Sequence, residues 1–281
     1  MTLKTLNIKG NLLKLSSPLV MGILNITPDS FYEESRKQTE EQIVSRVSRI
    51  LSEGGQIVDI GAQSSNPQSP LLDPATEIRR LRFALGVINK HFPDIIISVD
   101  TFYADVARFC VEEHGVALIN DVSGGQLDDK MFDTVARLHV PYILMHMRGT
   151  PQTMQQMTDY NNFIQEIFYY FSEKVSKLNR LGVNDIIIDP GFGFSKTVDQ
   201  NYELMAALKG FSVFDLPLLA GVSRKSMIYR YLDSSPADSL NGTTVLNTFA
   251  LQHGANILRV HDVREAVEAI KIVEILEKYK L

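Results

Sequence analysis

Eight short apolar runs, each followed by polar side chains and separated by amphipathic helical stretches, predict an α/β chain folded as a (β/α)8 TIM barrel with an N-terminal β-hairpin. The runs are rich in Ile and Val, which suits strands buried on both faces, as a parallel sheet requires. The 281 residues also match one barrel of about 250 residues with its loops. A doubly wound open sheet is the runner-up. No low-complexity linker or shift of composition divides the chain, so residues 1–281 read as one domain.

Taken in order, Thr5–Leu15 alternates weakly around Lys9-Gly10-Asn11, the turn chemistry of a hairpin, and precedes the first barrel strand as a plug for the barrel bottom. Leu19–Leu24 then runs into Asn25, and helical periodicity follows over Glu40–Ser52. Ile57-Val58 ends at Asp59 and is followed by Pro74–His91, with Asp73-Pro74 as its start signal. Ile95–Val99 ends at Asp100, with Tyr103–Glu113 behind it. Ala117–Ile119 ends at Asn120-Asp121, with Asp128–Leu138 next. Tyr142–Met145 ends at His146 and leads to Asn161–Leu181. Ile186–Ile188 ends at Asp189, before Asn201–Lys209. Pro217–Ala220 leads to Arg224-Lys225 and two helical segments, Lys225–Leu232 and Pro236–His253, the second started by Ser235-Pro236. Ile257-Leu258 gives way to Arg259-Val260-His261, and Asp262 is expected to cap a last helix, Ala266–Lys280. Loops Asn25–Thr39, Gly61–Asp73 and Met147–Tyr160 are long and leave the same end of the barrel, where loops of this length usually serve function.

Composition narrows the function classes. With 28 basic and 33 acidic residues, net charge −5 and a pI near 5.7, the chain lacks the basic balance of a nucleic-acid or membrane-surface binder. A local basic pocket for a phosphorylated ligand stays possible. The one cysteine, Cys110, excludes an intrachain disulfide and a thiolate metal cluster, and reads as a small buried hydrophobe. The start Met1-Thr2-Leu3-Lys4 is unlike a signal peptide and no apolar run approaches ~18 residues, so the cytoplasm is the expected location. HExxH, GxxxxGK[ST] and a strand-linked GxGxxG are all missing, which argues against a zinc enzyme and those kinds of nucleotide binding.

Polar groups at the carboxyl ends of parallel strands stand where α/β folds place their sites. Arg259 and His261 lie two apart and face one way, a combination suited to phosphate or pyrophosphate. An Arg salt-bridged across the barrel mouth and a His satisfied by backbone is the equal alternative. Asp189 precedes Pro190-Gly191-Phe192-Gly193-Phe194, where glycines allow close approach and Phe192 or Phe194 could stack on a flat ring. Asp100 and Asn120 suit the donor and acceptor edge of a heterocycle, although each alone fits a structural hydrogen bond as well. Lys225 sits near a helix N-terminus, unfavourable for the dipole, which suggests another role. His146 reads as a satisfied core or rim histidine, and His91, His114, His139 and His253 as structural. These residues point to a barrel that binds a small polar ligand, with groups suited to an aromatic ring and to a phosphate, and they do not name the reaction.

The sequence closely resembles the dihydropteroate synthases of the pterin-binding family from Met21 to about Lys271. The carrying motifs are Gly22–Phe31, Ser98–Thr101, Ile119–Gly125, Met145–Pro151, Asp189–Thr197, Gly221–Ser226 and Arg259–Val263, in the family's order. The resemblance implies a (β/α)8 barrel that joins 6-hydroxymethyl-7,8-dihydropterin pyrophosphate to 4-aminobenzoate, giving 7,8-dihydropteroate and pyrophosphate. It implies that Asp100, Asn120, Asp189 and Lys225 hold the pterin, with Met145 packed on it and Gly221 beside it. Asn25, Arg259 and His261 would form the pyrophosphate end, with Asn25 ligating Mg2+, and Phe194 part of the aminobenzoate wall. Asp29 would steady the cation or the amine. A homodimer and inhibition by sulfonamides are implied as well.

The chain departs from the family in the second loop. Where Gly-Glu-Ser-Thr-Arg-Pro-Gly is usual, it reads Ala62-Gln63-Ser64-Ser65-Asn66-Pro67-Gln68. Ser65 keeps a hydroxyl for the substrate, but Asn66 removes a positive charge, and weak or altered sulfonamide affinity is expected. Inhibition constants unchanged by Asn66→Arg would overturn that expectation. Ser195 replaces a usual glycine and Gln200 a usual histidine; both are expected to be peripheral. Two competing readings are a pterin-binding methyltransferase, which needs no pyrophosphate receptor, and a non-catalytic pterin-binding barrel.

Overall fold

The computed structural model describes residues 4–26, 36–63 and 71–279. Strands β1 (Thr5–Ile8) and β2 (Asn11–Lys14) pair antiparallel, from Thr5 opposite Lys14 to Ile8 opposite Asn11. The other strands are β3 (Leu19–Asn25), β4 (Ile57–Gly61), β5 (Ile96–Asp100), β6 (Leu118–Asp121), β7 (Tyr142–Met145), β8 (Ile186–Asp189), β9 (Leu219–Ala220) and β10 (Ile257–Val260). They form an eight-stranded parallel sheet in the order β8-β7-β6-β5-β4-β3-β10-β9. A parallel bridge from Ile188 to Leu218 joins the ends of that order, so the sheet nearly closes as a barrel. The helices are α1 (Arg36–Ser52), α2 (Pro74–His91), α3 (Ala104–His114), α4 (Met131–Leu138), α5 (Phe163–Arg180), α6 (Val198–Ala206), α7 (Ser226–Tyr229), α8 (Leu240–Gln252) and α9 (Val263–Glu277).

Period-two alternation explains why the strand runs are apolar throughout. Outward residues such as Val20, Val58, Ile97, Ile119, Leu144, Ile186 and Leu258 join one core with the helices. Inward residues Met21, Ile57, Leu118, Ile143, Ile187, Leu219 and Ile257 form a second cluster with Leu6, Ile8 and Leu15 of the hairpin region. The hairpin therefore seals the amino-terminal end of the barrel, as its position in the sequence implied.

Where helix limits differ from the periodicity, side chains give the reason. Asp128 does not open α4: its carboxylate accepts from the backbone of Ala104 and Lys130, and the helix begins at Met131. Thr197 and Gln200 make a reciprocal capping box, which moves the start of α6 up to Val198. Pro236 and Ala237 stand ahead of α8, because their carbonyls accept from the Arg224 guanidinium. Asp73 caps α2 by accepting from the Thr76 backbone at 3.0 Å, as expected. Asp262 occupies the N-cap position of α9 without making a side-chain cap, and its two oxygens instead take Arg224, each at 2.9 Å. A bidentate ion pair to a guanidinium outcompetes one backbone N–H for the same carboxylate.

Candidate active site

Two residues beyond the apolar inward layer, the same face of the strands carries Ile23, Asp59, Asn120, Met145, Asp189, Gly221 and Arg259. Alternation thus converts a dry barrel interior into a polar floor within one step. Above this floor opens a cavity of about 250 Å³. Its lining includes Asn25, Asp100, Asn120, Met145, Asp189, Phe194, Gly221, Lys225, Arg259 and His261, all of them residues singled out from the sequence, together with others such as Phe102, Val122 and Ser223 that were given no role. Asp29, Ser65 and Asn66 lie outside the described residues, so their expected places are not part of this geometry.

Arg259 is the hub of the floor. Its Nε donates to Asp59 Oδ2 at 2.6 Å and its Nη2 to Asp100 Oδ2 at 3.1 Å. The Asn120 amide donates to the same Asp59 oxygen at 3.1 Å. Burial opposes the Arg259 charge, but the attraction of Asp59, Asp100 and Asp189 outweighs it and holds the guanidinium pKa above its usual value. Burial pushes the Asp100 carboxyl upward, with Arg259 pulling it back. Both readings of Arg259 from the sequence therefore hold together: it is salt-bridged across the mouth and it lines the cavity.

The opposite wall rests on the turn after β8. Asp189, 5% exposed, accepts from the Gly191 backbone through Oδ1 at 2.8 Å. Burial raises its pKa, against the pull of Lys225. Gly191 has φ of +72°, and a Cβ there would stand 2.1 Å from the His146 carbonyl oxygen, so only glycine fits. Phe192 is buried in the helix-facing core, and of the two phenylalanines only Phe194 reaches the cavity. The Lys225 ammonium donates to the Phe192 carbonyl and sits 4.7 Å from the Phe194 ring centroid. Burial lowers the Lys225 pKa to about 8, with Asp189 opposing the fall. Met145 closes the wall with Met147 and Met154, packed against Val122, Leu127 and Phe194.

His146 is a core histidine, as read from the sequence: 2% exposed, with Nδ1 3.0 Å from the Lys196 amine. Lys196 also donates to the carbonyls of Gly191 at 2.9 Å and Phe194 at 2.8 Å, so it clips the Phe194 turn to the barrel. Ser195 and Gln200 are structurally engaged rather than peripheral. The Ser195 hydroxyl accepts from Arg148 N and donates to Arg148 O, both at 2.8 Å, and Gln200 reaches the Thr158 carbonyl at 2.9 Å. These contacts stitch the long loop after β7 to the turn after β8.

Sequence reasoning assigned no role to Asp59, Lys196 or Ser223. Asp59 carried a signal, since it ends an apolar run like its neighbours. A lone lysine or serine in a Gly-rich turn carries none, because its partners come from other elements.

The pattern of the family described as Pterin binding enzyme matches residues 21–261. This chain belongs to the pterin-binding enzyme family. It is 37% identical over 268 residues to the dihydropteroate synthase of Escherichia coli strain K12, covering 95% of this chain and 94% of that one. The Yersinia pestis dihydropteroate synthase in a sulfonamide drug complex superposes with a TM-score of 0.90 at 36% identity, covering 98% of this chain and 100% of that chain. The Xanthomonas albilineans dihydropteroate synthase with 4-aminobenzoic acid gives a TM-score of 0.88 at 33% identity, covering 99% and 100%.

Proposed function

We propose that this chain is a dihydropteroate synthase. It condenses 6-hydroxymethyl-7,8-dihydropterin pyrophosphate with 4-aminobenzoate in folate synthesis, releasing 7,8-dihydropteroate and pyrophosphate. The observation that carries the reading is one cavity lined by two sets of groups. Asp100, Asn120, Asp189 and Lys225 offer acceptors and donors suited to a flat heterocycle beside Met145, and Asn25, Arg259 and His261 line the same cavity with groups suited to a diphosphate.

In this reading Asp100, Asn120 and Asp189 hydrogen-bond the pterin edge, and Lys225 balances the charge of Asp189. Gly221 leaves its backbone open to the ring, and Phe194 walls the aminobenzoate. The bond from the exocyclic methylene carbon to the pyrophosphate oxygen breaks, with its electron pair leaving on the pyrophosphate. Arg259 and His261 receive that developing charge. The electron-rich dihydropterin stabilises the cationic carbon, with Asp189 adjacent. The aniline nitrogen then donates its lone pair to the carbon and loses one proton to water. An aromatic amine is a weak base and needs no strong general base, which agrees with His146 being buried and tied to Lys196.

Among the described residues no group of three or more His, Cys, Asp or Glu could hold a metal ion. Asn25 offers one neutral amide oxygen on the cavity wall. That donor fits a Mg2+ ion borne by the pyrophosphate, since Mg2+ keeps water and phosphate oxygens and takes few protein ligands. When bound, the ion would neutralise leaving-group charge as a Lewis acid. A homodimer belongs to the same proposal, supported by exposed Val245 on α8 and exposed Ile272, Ile275 and Leu276 on the neighbouring α9. A cytoplasmic location is likewise proposed, and cell fractionation tests it.

The test is incubation of the purified chain with the pterin pyrophosphate, 4-aminobenzoate and Mg2+, following both products by mass. Equal amounts of pyrophosphate and dihydropteroate are expected. Pterin binding without either product would overturn the catalytic reading and leave a pterin-binding barrel.

A further inference from the structure

Ser223, in the turn after β9, is 5% exposed and meets His261 at two points. Its Oγ accepts from the His261 backbone N–H at 3.1 Å and lies 3.1 Å from the ring Nδ1. A hydroxyl has one proton and two lone pairs. The backbone N–H takes one lone pair, because it can only donate. If Nδ1 also donated, it would take the second lone pair, and the hydroxyl proton of this residue, at the edge of the cavity, would be left without a protein acceptor. If instead the hydroxyl donates to Nδ1, every group is satisfied, and the ring proton must sit on Nε2.

The surroundings disfavour the doubly protonated ring. Arg259, Arg46 and Arg224 face it, and Asp262 is the opposing charge. Burial and these guanidiniums push the imidazole pKa down to about 4. The backbone is clamped as well: the His261 carbonyl accepts from Arg46 Nη2 at 2.9 Å, and the same guanidinium holds the Ile23 carbonyl of β3. With Nδ1 on Ser223, Nε2 is the nitrogen left to the cavity that His261 lines.

We propose that Ser223 is a positioning residue that fixes His261 as the neutral Nε2–H tautomer, so that the cavity rim offers a diphosphate one directed N–H donor rather than a second charge. Recognition of the diphosphate rests on the synthase reading above; the tautomer does not. Arg259 then supplies the charge and His261 the direction, which favours an oxygen at one place on the rim.

Nitrogen-15 NMR of the full chain with labelled histidine decides the tautomer at neutral pH without any substrate. Of the six histidines, His261 is assigned by loss of its signals in His261→Gln. An unprotonated Nδ1 and a protonated Nε2 are expected, with mixed tautomers in Ser223→Ala and recovery in Ser223→Thr. A protonated Nδ1 or an imidazolium in the unaltered chain would overturn the proposal. The second arm is kinetic and calorimetric. Ser223→Ala should raise KM for the pterin pyrophosphate about tenfold, the size of one lost hydrogen bond, and leave the Kd of the bare hydroxymethyl pterin unchanged. Equal losses for both ligands would overturn the link to the diphosphate. A correct tautomer in a chain without turnover would count against the synthase reading alone.

Discussion

At the scale of single residues, the cavity depends on side chains that are held before any ligand arrives. Asp59 never reaches the cavity lining, yet it is fully buried and takes both Arg259 and Asn120 on one oxygen. Asp59→Ala leaves the Arg259 guanidinium short of its main partner, and breaking a buried pair of this kind costs about 3–5 kcal/mol of stability. Urea unfolding measures it, and a loss below about 1 kcal/mol would mean that Asp100 alone suffices to hold the arginine. Gly221 gives the opposite expectation. A Cβ there meets Asp189 Oδ2 and Leu219 Cδ2 at 3.8 Å, which are ordinary contacts, so Gly221→Ala should fold with an unchanged Tm. The methyl would project into the space the pterin needs, and calorimetry should show at least about a tenfold loss of affinity. Lys225 sets a pH limit. With its pKa brought down to about 8, the ammonium is present below that pH and lost above it. Pterin affinity should therefore fall as pH rises through 8, and Lys225→Met should remove that fall.

At the scale of elements, the barrel separates stability from chemistry along its axis. The hairpin of β1 and β2 packs Leu6 and Ile8 into the inward cluster at the amino-terminal end, away from the cavity. Leu6→Ala should cost about 2–5 kcal/mol, the usual price of a buried leucine cavity, while the folded fraction keeps its KM for both substrates. A changed KM would show that the bottom layer transmits to the floor. The turn after β8 behaves differently, because Gly191, Phe194 and Lys196 share one set of backbone contacts. Much of this was legible as sequence. All eight barrel strands were visible in the apolar runs, and the polar groups after them included Asn25, Asp100, Asn120, Asp189, Lys225, Arg259 and His261 of the cavity lining, although Asp59 and His146, which end runs in the same way, do not line it. What was not legible was commitment: Asp262 stands where a cap would stand, yet binds Arg224, because that guanidinium comes from a turn 38 residues earlier.

At the scale of the whole molecule, the proposed dimer makes the last helices an interface. Ile275→Glu should give a monomer in analytical ultracentrifugation, because a buried unpaired carboxylate opposes association; an unchanged mass would remove α9 from the interface. The barrel also shows what the sequence by itself determined. Hydrophobic periodicity and helix signals are local properties of the chain, and they were enough to mark the eight strands, the hairpin ahead of them and the end at which polar groups gather; closure into a barrel was decided by the pairing of the sheet. Pairing across the barrel was decided only by the tertiary structure. Arg259 and Asp59 are 200 residues apart, as neighbours on one floor they form its central ion pair, and Ser223 meets His261 only because β9 lies beside β10. A sequence specifies which donors and acceptors exist, whereas closure of the sheet specifies which of them face each other, and that choice carries the charge and tautomer on which the cavity's chemistry depends.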